Sequence, residues 1–171
     1  GTGHLPSEPL RLHVLASGSK GNASIVENAQ TGEGILIDCG ICKRDVLSRC
    51  DEAGFALENL KAVLITHEHS DHTKGLKVLY RELAKRGIEV PMYANEATAS
   101  NSKPIQETLD YTELVPLSAD DQLSLAGMQV FPFATSHDTA SSFGFRFWVG
   151  EDTLGFMTDT GVVTGAAHEA L

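Results

Sequence analysis

Thr66-His67-Glu68-His69-Ser70-Asp71-His72 sets three imidazoles and two carboxylates within seven residues. Imidazole nitrogen and carboxylate oxygen are the ligands divalent metal ions take from proteins. In an extended segment alternate side chains share a side, so His67 and His69 are predicted to reach one ion. Asp71 and His72 are adjacent where the chain turns, project differently, and suit a second ion a few ångströms away. At this chain's own His and Asp frequencies, the spacing H-x-H-x-D-H arises by chance on the order of once per thousand chains. A merely solvated loop is a poor alternative, because histidines this dense repel one another when protonated without a metal.

Those residues need a rigid strand end beneath them. Lys61–Thr66 (KAVLIT) is rich in β-branched residues and reads as a buried strand delivering the histidines. A helix is predicted from about Thr73 to Arg86, with Leu76, Leu79 and Leu83 on its inner face and Lys74, Lys77, Arg81 and Lys85 on a basic, solvated one. Upstream, Arg11–Ala16 and Ala23–Glu27 form a hairpin across Ser17-Gly18-Ser19-Lys20-Gly21-Asn22. That turn has no Walker A ending, and it either lines a cleft or simply turns the chain. Gly34–Asp38 is a third strand, followed by a helix from about Cys42 to Ala53 that Gly54 stops. Downstream come a strand at Glu89–Ala94, a helix near Glu96–Lys103, and strands near Thr112–Pro116, Gln122–Leu125, Met128–Ala134, Ser142–Val149 and Thr153–Thr158. The alternating Phe143, Phe145, Phe147 and Val149 read as sheet core rather than a base-stacking platform.

With 171 residues, 42% hydrophobic and 21% charged, the chain is expected to hold one domain at residues 11–171, after a disordered leader or appended remnant at residues 1–10 that discounts His4. No apolar run approaches the roughly 18 residues of a membrane span and no signal peptide opens the chain, so a cytoplasmic protein without a membrane partner is expected. A net charge of −10 argues against non-specific coating of nucleic acid but leaves a local site open. Three cysteines (Cys39, Cys42, Cys50) are an odd number without an export signal, and they read as buried structural thiols rather than disulfides or a redox pair.

Thr66–His72 resembles the HxHxDH motif of the metallo-β-lactamase superfamily, which implies an α/β (α+β) fold, the αββα sandwich. The resemblance gives other positions a role, since the family's order of site residues is matched by Asp38, the His67–His72 cluster, His137 and Asp159. It implies a first site of His67, His69, His137 and Asp159, and a second of Asp71, His72 and bridging Asp159. Asp38 is then expected to orient the histidine-bearing loop without touching metal. The stretches SGSKGN and DCG, with THEHSDH, TSHD and TDTG, are similar to the YycJ-like (WalJ-like) exonuclease branch of that superfamily. One departure stands out: the family's final histidine ligand is missing, and His168 falls in Val163–Leu171, which reads as a helix. The chain is thus expected to lack the C-terminal portion of the fold. The activity implied is a metal-dependent phosphodiesterase or DNA exonuclease, with a hydroxide on one or two divalent ions (Zn²⁺ or Mn²⁺, Fe²⁺ also suiting the ligands), Asp71, His72 and Asp38 in the catalytic machinery, and DNA as the partner. A glyoxalase II-like thioesterase or lactonase, and a non-catalytic metal-binding or interaction module, are the alternatives.

Overall fold

Short polar turns join the first three strands, which are therefore antiparallel: β1 (Leu10–Ala16), β2 (Ala23–Asn28) and β3 (Glu33–Ile37). The computed structural model describes residues 9–135, 143–157 and 161–163. From β3 onward each connection carries helix and the pairing becomes parallel. α1 (Lys43–Ala53) leads to β4 (Leu60–Leu64). α2 (Ser70–Thr73) and α3 (Leu76–Lys85) lead to β5 (Met92–Ala94), and α4 (Glu96–Ser100) with α5 (Lys103–Thr108) leads to β6 (Leu114–Pro116). The six strands lie side by side in chain order.

The second sheet is antiparallel and built from β7 (Leu123–Leu125), β8 (Met128–Ala134), β9 (Phe143–Val149), β10 (Asp152–Met157) and β11 (Gly161–Val163), in the order β11-β10-β9-β8-β7. Strands β3 and β4 explain how the layers stack. Leu36 and Val63 face the helices, in a core with Val46, Leu76, Leu79, Tyr80, Leu83 and Ile105. Their neighbours Ile35, Ile37, Ala62 and Leu64 face the other way, against Met128, Val130, Phe145, Phe147 and Phe156. The first sheet is thus buried on both faces, which is why its central strands read as continuous apolar runs. The phenylalanines of β9 are core, and the outer side of that sheet carries an apolar groove of about 540 Å³ lined by Phe131, Phe133 and Trp148, with the Arg146 guanidinium 5.6 Å above the Phe133 ring.

Several predicted boundaries move. The single helix expected over Thr73–Arg86 is two, broken at Lys74-Gly75 because Gly75 presses against the Ile41 carbonyl and its N–H turns to the Cys39 carbonyl at 2.9 Å. The helix expected near Glu96–Lys103 is also two: Asn95 caps the first, and Ser102, followed by Pro104, starts the second. Val163 belongs to β11, so the helix read from Val163 loses its first residue, and residues 164–171, with His168, lie outside the described residues. Among the described residues no helix is long and apolar enough to cross a membrane.

Candidate metal centre

Asp38 follows β3 in the left-handed region (φ 64°), a conformation that aspartate tolerates better than most residues and that commonly marks a functional constraint. Its carboxylate, 1% exposed, lies under the chain leaving β4. Oδ1 accepts from the Thr66 N–H at 2.8 Å, and Oδ2 accepts from the Thr66 hydroxyl at 2.7 Å. His72 Nδ1 lies 2.7 Å from the same Oδ2, which requires the proton on Nδ1. The Thr66 hydroxyl has given its hydrogen to Asp38, so His67 Nδ1, 3.0 Å away, must donate to it. One buried carboxylate thereby sets the tautomer of two histidines and leaves Nε2 of each as the lone-pair nitrogen.

The three rings crowd together. The His67 centroid is 4.6 Å from that of His69 and 4.0 Å from that of His72. His67 and His72 are buried, His69 is exposed and Asp71 half-buried, with Asp71 Oδ2 at 3.7 Å from His72 Nε2. Between His67 and His69, Glu68 has one buried oxygen with no hydrogen-bond partner among the described residues. Lone-pair nitrogens and carboxylate oxygens concentrated in this way suit a divalent cation. The donors of the described residues do not close a shell alone: no group of three or more of them forms a ready metal cradle there.

His137 and Asp159 lie outside the described residues. The strands on either side of them are described, and their topology bears on the site. Ala134 of β8 pairs with Phe143 of β9, Phe156 of β10 pairs with Phe145, and Met157 pairs with Gly161 of β11, so the described strand ends on either side of both residues lie at one end of the second sheet. At that end the Phe143 N–H donates to the Thr66 carbonyl at 2.9 Å.

Sequence reasoning missed what supports the cluster. The turn Ser17–Asn22 docks on it: Asn22 N–H donates to the Asp71 carbonyl at 2.8 Å and Asn22 O accepts from Gly40 N–H at 2.8 Å. Cys39 N–H in turn donates to the His72 carbonyl at 2.8 Å. Gly40 and Gly75 make this weave possible, since a Cβ on Gly40 would overlap the Asp71 carbonyl and one on Gly75 the Ile41 carbonyl. The signal available was the pair of glycines flanking the cluster's neighbours in DCG and HTKG, but neither announces its partner.

The cysteines divide. Burial pushes the Cys39 thiol up to about 12 and the Cys50 thiol up to about 11, whereas Cys42 is exposed, contrary to the expectation that all three are buried. Iodoacetamide at pH 8 is expected to add one label to the native protein, at Cys42, and three after denaturation, read by intact-mass spectrometry. Labelling of native Cys39 would contradict this. The same two shifts favour the protonated thiols in the fold, so their contribution to stability is complete below the ordinary thiol value of 9.0 and is lost as pH rises towards about 12.

Two face-to-face sheets, helices on the outer side of one, and a histidine-aspartate cluster at their common end define the metallo-β-lactamase class of fold. The chain belongs to the beta-lactamase superfamily: the family model for the beta-lactamase superfamily domain matches residues 34–171. It is 32% identical over 155 residues to exodeoxyribonuclease YycJ of Bacillus anthracis, covering 91% of this chain and 56% of that protein. It is 33% identical over 157 residues to exodeoxyribonuclease WalJ of Streptococcus pneumoniae, covering 90% and 55%. The chain thus spans about half the length of these curated relatives. Among solved structures, the metallo-β-lactamase fold protein YhfI from Bacillus subtilis superposes with a TM-score of 0.67 at 19% identity, over 90% of this chain and 63% of that one.

Proposed function

We propose that the chain carries the metal-binding residues of a metal-dependent hydrolase that cleaves phosphodiester bonds of DNA from an end. The observation that carries the reading is the Asp38 carboxylate, which turns Nε2 of His67 and His72 away from itself as lone-pair nitrogens beside His69 and Asp71. In this reading His67, His69, His137 and Asp159 hold one divalent ion, and Asp71, His72 and Asp159 a second. Bound ions of this kind lower the pKa of water towards neutrality and so supply a nucleophile at physiological pH. The chain's residues do the rest: Asp38 orients the imidazoles, Thr66 relays that orientation to His67, and the Ser17–Asn22 turn and the Gly40 weave hold Asp71 in place. DNA is favoured as substrate because the two curated relatives described above are named exodeoxyribonucleases.

The test is hydrolysis of end-labelled single-stranded DNA by the whole protein with added Mn²⁺. Shortening from an end, abolished by EDTA and by His69→Ala, is the expected result. Equal activity in His69→Ala would refute the site. Resistance of DNA with turnover of a thioester or lactone would replace the substrate, and ion binding without any turnover would leave a metal-binding module.

A further inference from the structure

We propose that Asn22 is a positioning residue that keeps Asp71 and His72 converged on a common point until a divalent ion takes its place there. The inference rests on the proposed reading of Asp71 and His72 as ligands of one ion. The Asn22 amide nitrogen carries two hydrogens and lies within hydrogen-bond distance of four acceptors. Gly18 O, at 2.9 Å, is the nearest, and Asn22 Oδ1 returns the contact by accepting from Gly18 N–H at 3.1 Å. That reciprocal pair closes the Ser17–Asn22 turn and uses one hydrogen. The other faces Asp71 Oδ2 at 3.2 Å, the Asp71 carbonyl at 3.3 Å and His72 Nε2 at 3.3 Å, all belonging to the two ligand residues.

The chemistry of those acceptors gives the donation its purpose. His72 has its proton on Nδ1, bound to Asp38, so Nε2 presents a lone pair. Asp71 Oδ2 presents another only 3.7 Å away. Two electron-rich atoms so placed repel, and a hydrogen donor between them offsets that repulsion. The contacts are long, so an arriving cation displaces them at little cost while the geometry they maintained remains. The amide cannot drift, because the Asn22 main chain is tied on both sides, to Asp71 O and to Gly40 N.

Calorimetric titration of the metal-free whole protein with Zn²⁺, beside imidazole ¹⁵N spectra, tests this. Wild type is expected to bind two ions. Asn22→Ala is expected to bind the tighter ion unchanged and the weaker one about 10–100-fold less tightly, the range seen when groups that orient ligands are removed. Its metal-free spectrum should show the His72 Nε2 signal moved by loss of the Asn22 hydrogen bond, a change that a merely structural role would not produce. Should Asn22→Ala fail to fold, Asn22→Ser replaces it: the hydroxyl still accepts from Gly18 N–H but is too short to reach both ligands. Unchanged affinity for both ions, or an unmoved His72 signal, overturns the inference and leaves the site reading intact. A wild type that binds one ion overturns the assignment of Asn22 to a second, and one that binds none overturns the site itself.

Discussion

Replacing Asp38 with alanine is expected to cost several kcal/mol of stability and to weaken divalent-ion binding by about 10–100-fold at once. The carboxylate is buried and receives the Thr66 amide, the Thr66 hydroxyl and His72 Nδ1–H within 2.8 Å. Alanine leaves all three donors in a dry pocket. Each unpaired buried donor costs about 1–3 kcal/mol, so the sum approaches the roughly 5–15 kcal/mol by which a whole domain is stable. The loss of affinity has a separate cause: His72 Nδ1–H loses its acceptor, and the Thr66 hydroxyl, no longer donating to Asp38, can turn its hydrogen to His67 Nδ1, so neither histidine keeps one tautomer. Urea denaturation in EDTA measures the first effect and titration with Zn²⁺ the second. The Asp38→Asn substitution turns an amide NH₂ towards groups that are themselves donors, so that protein is expected to fall nearly as far. An unshifted urea midpoint in Asp38→Ala would show that the carboxylate does not organise the loop.

The second large effect is expected from Gly40→Ala, at a residue with no side chain to lose. A Cβ there overlaps the Asp71 carbonyl carbon and oxygen, which are main chain and cannot swing aside, so the α2 turn must move. Overpacking of this kind costs about 1–3 kcal/mol, and more where backbone is displaced. Ion affinity should drop with it, because the same turn carries Asp71 and His72. Gly54→Ala is the control: Gly54 has a positive φ (75°), but a Cβ there meets nothing within 4 Å. It should lose about 1 kcal/mol from backbone strain and bind ions as wild type does. A Gly40→Ala protein that behaved like Gly54→Ala would show that the weave is slack.

The histidine-aspartate cluster was legible because His67, His69, Asp71 and His72 lie close together in sequence and each residue type has a narrow chemistry. The strands around it were legible because one sheet is buried on both faces and the other on one, and each leaves its own period in the sequence. What escaped is what depends on distant chain. The Ser17–Asn22 turn reads equally as cleft lining or plain turn, since nothing local shows that Asn22 meets Asp71 and His72 about fifty residues later. The break at Lys74-Gly75 escaped for the same reason, because a helical period continues through it and only the approach of Ile41 interrupts the helix. Cys42 was grouped with Cys39 by spacing, although the chain turns outward between them.

The hydrogen bond from Phe143 N–H to the Thr66 carbonyl has a bearing on the order of folding. The histidine cluster follows β4, in the first half of the chain, but this bond waits for β9, well into the second. Closing so long a loop is slow, because its entropy is lost before the contact that rewards it forms. A nascent chain halted before β9 therefore already holds His67, His69, Asp71 and His72 in sequence, yet with the Thr66 carbonyl lacking its Phe143 donor and only β7 and β8 of the second sheet made. Assembly of the centre is a late event, coupled to the docking of the two sheets.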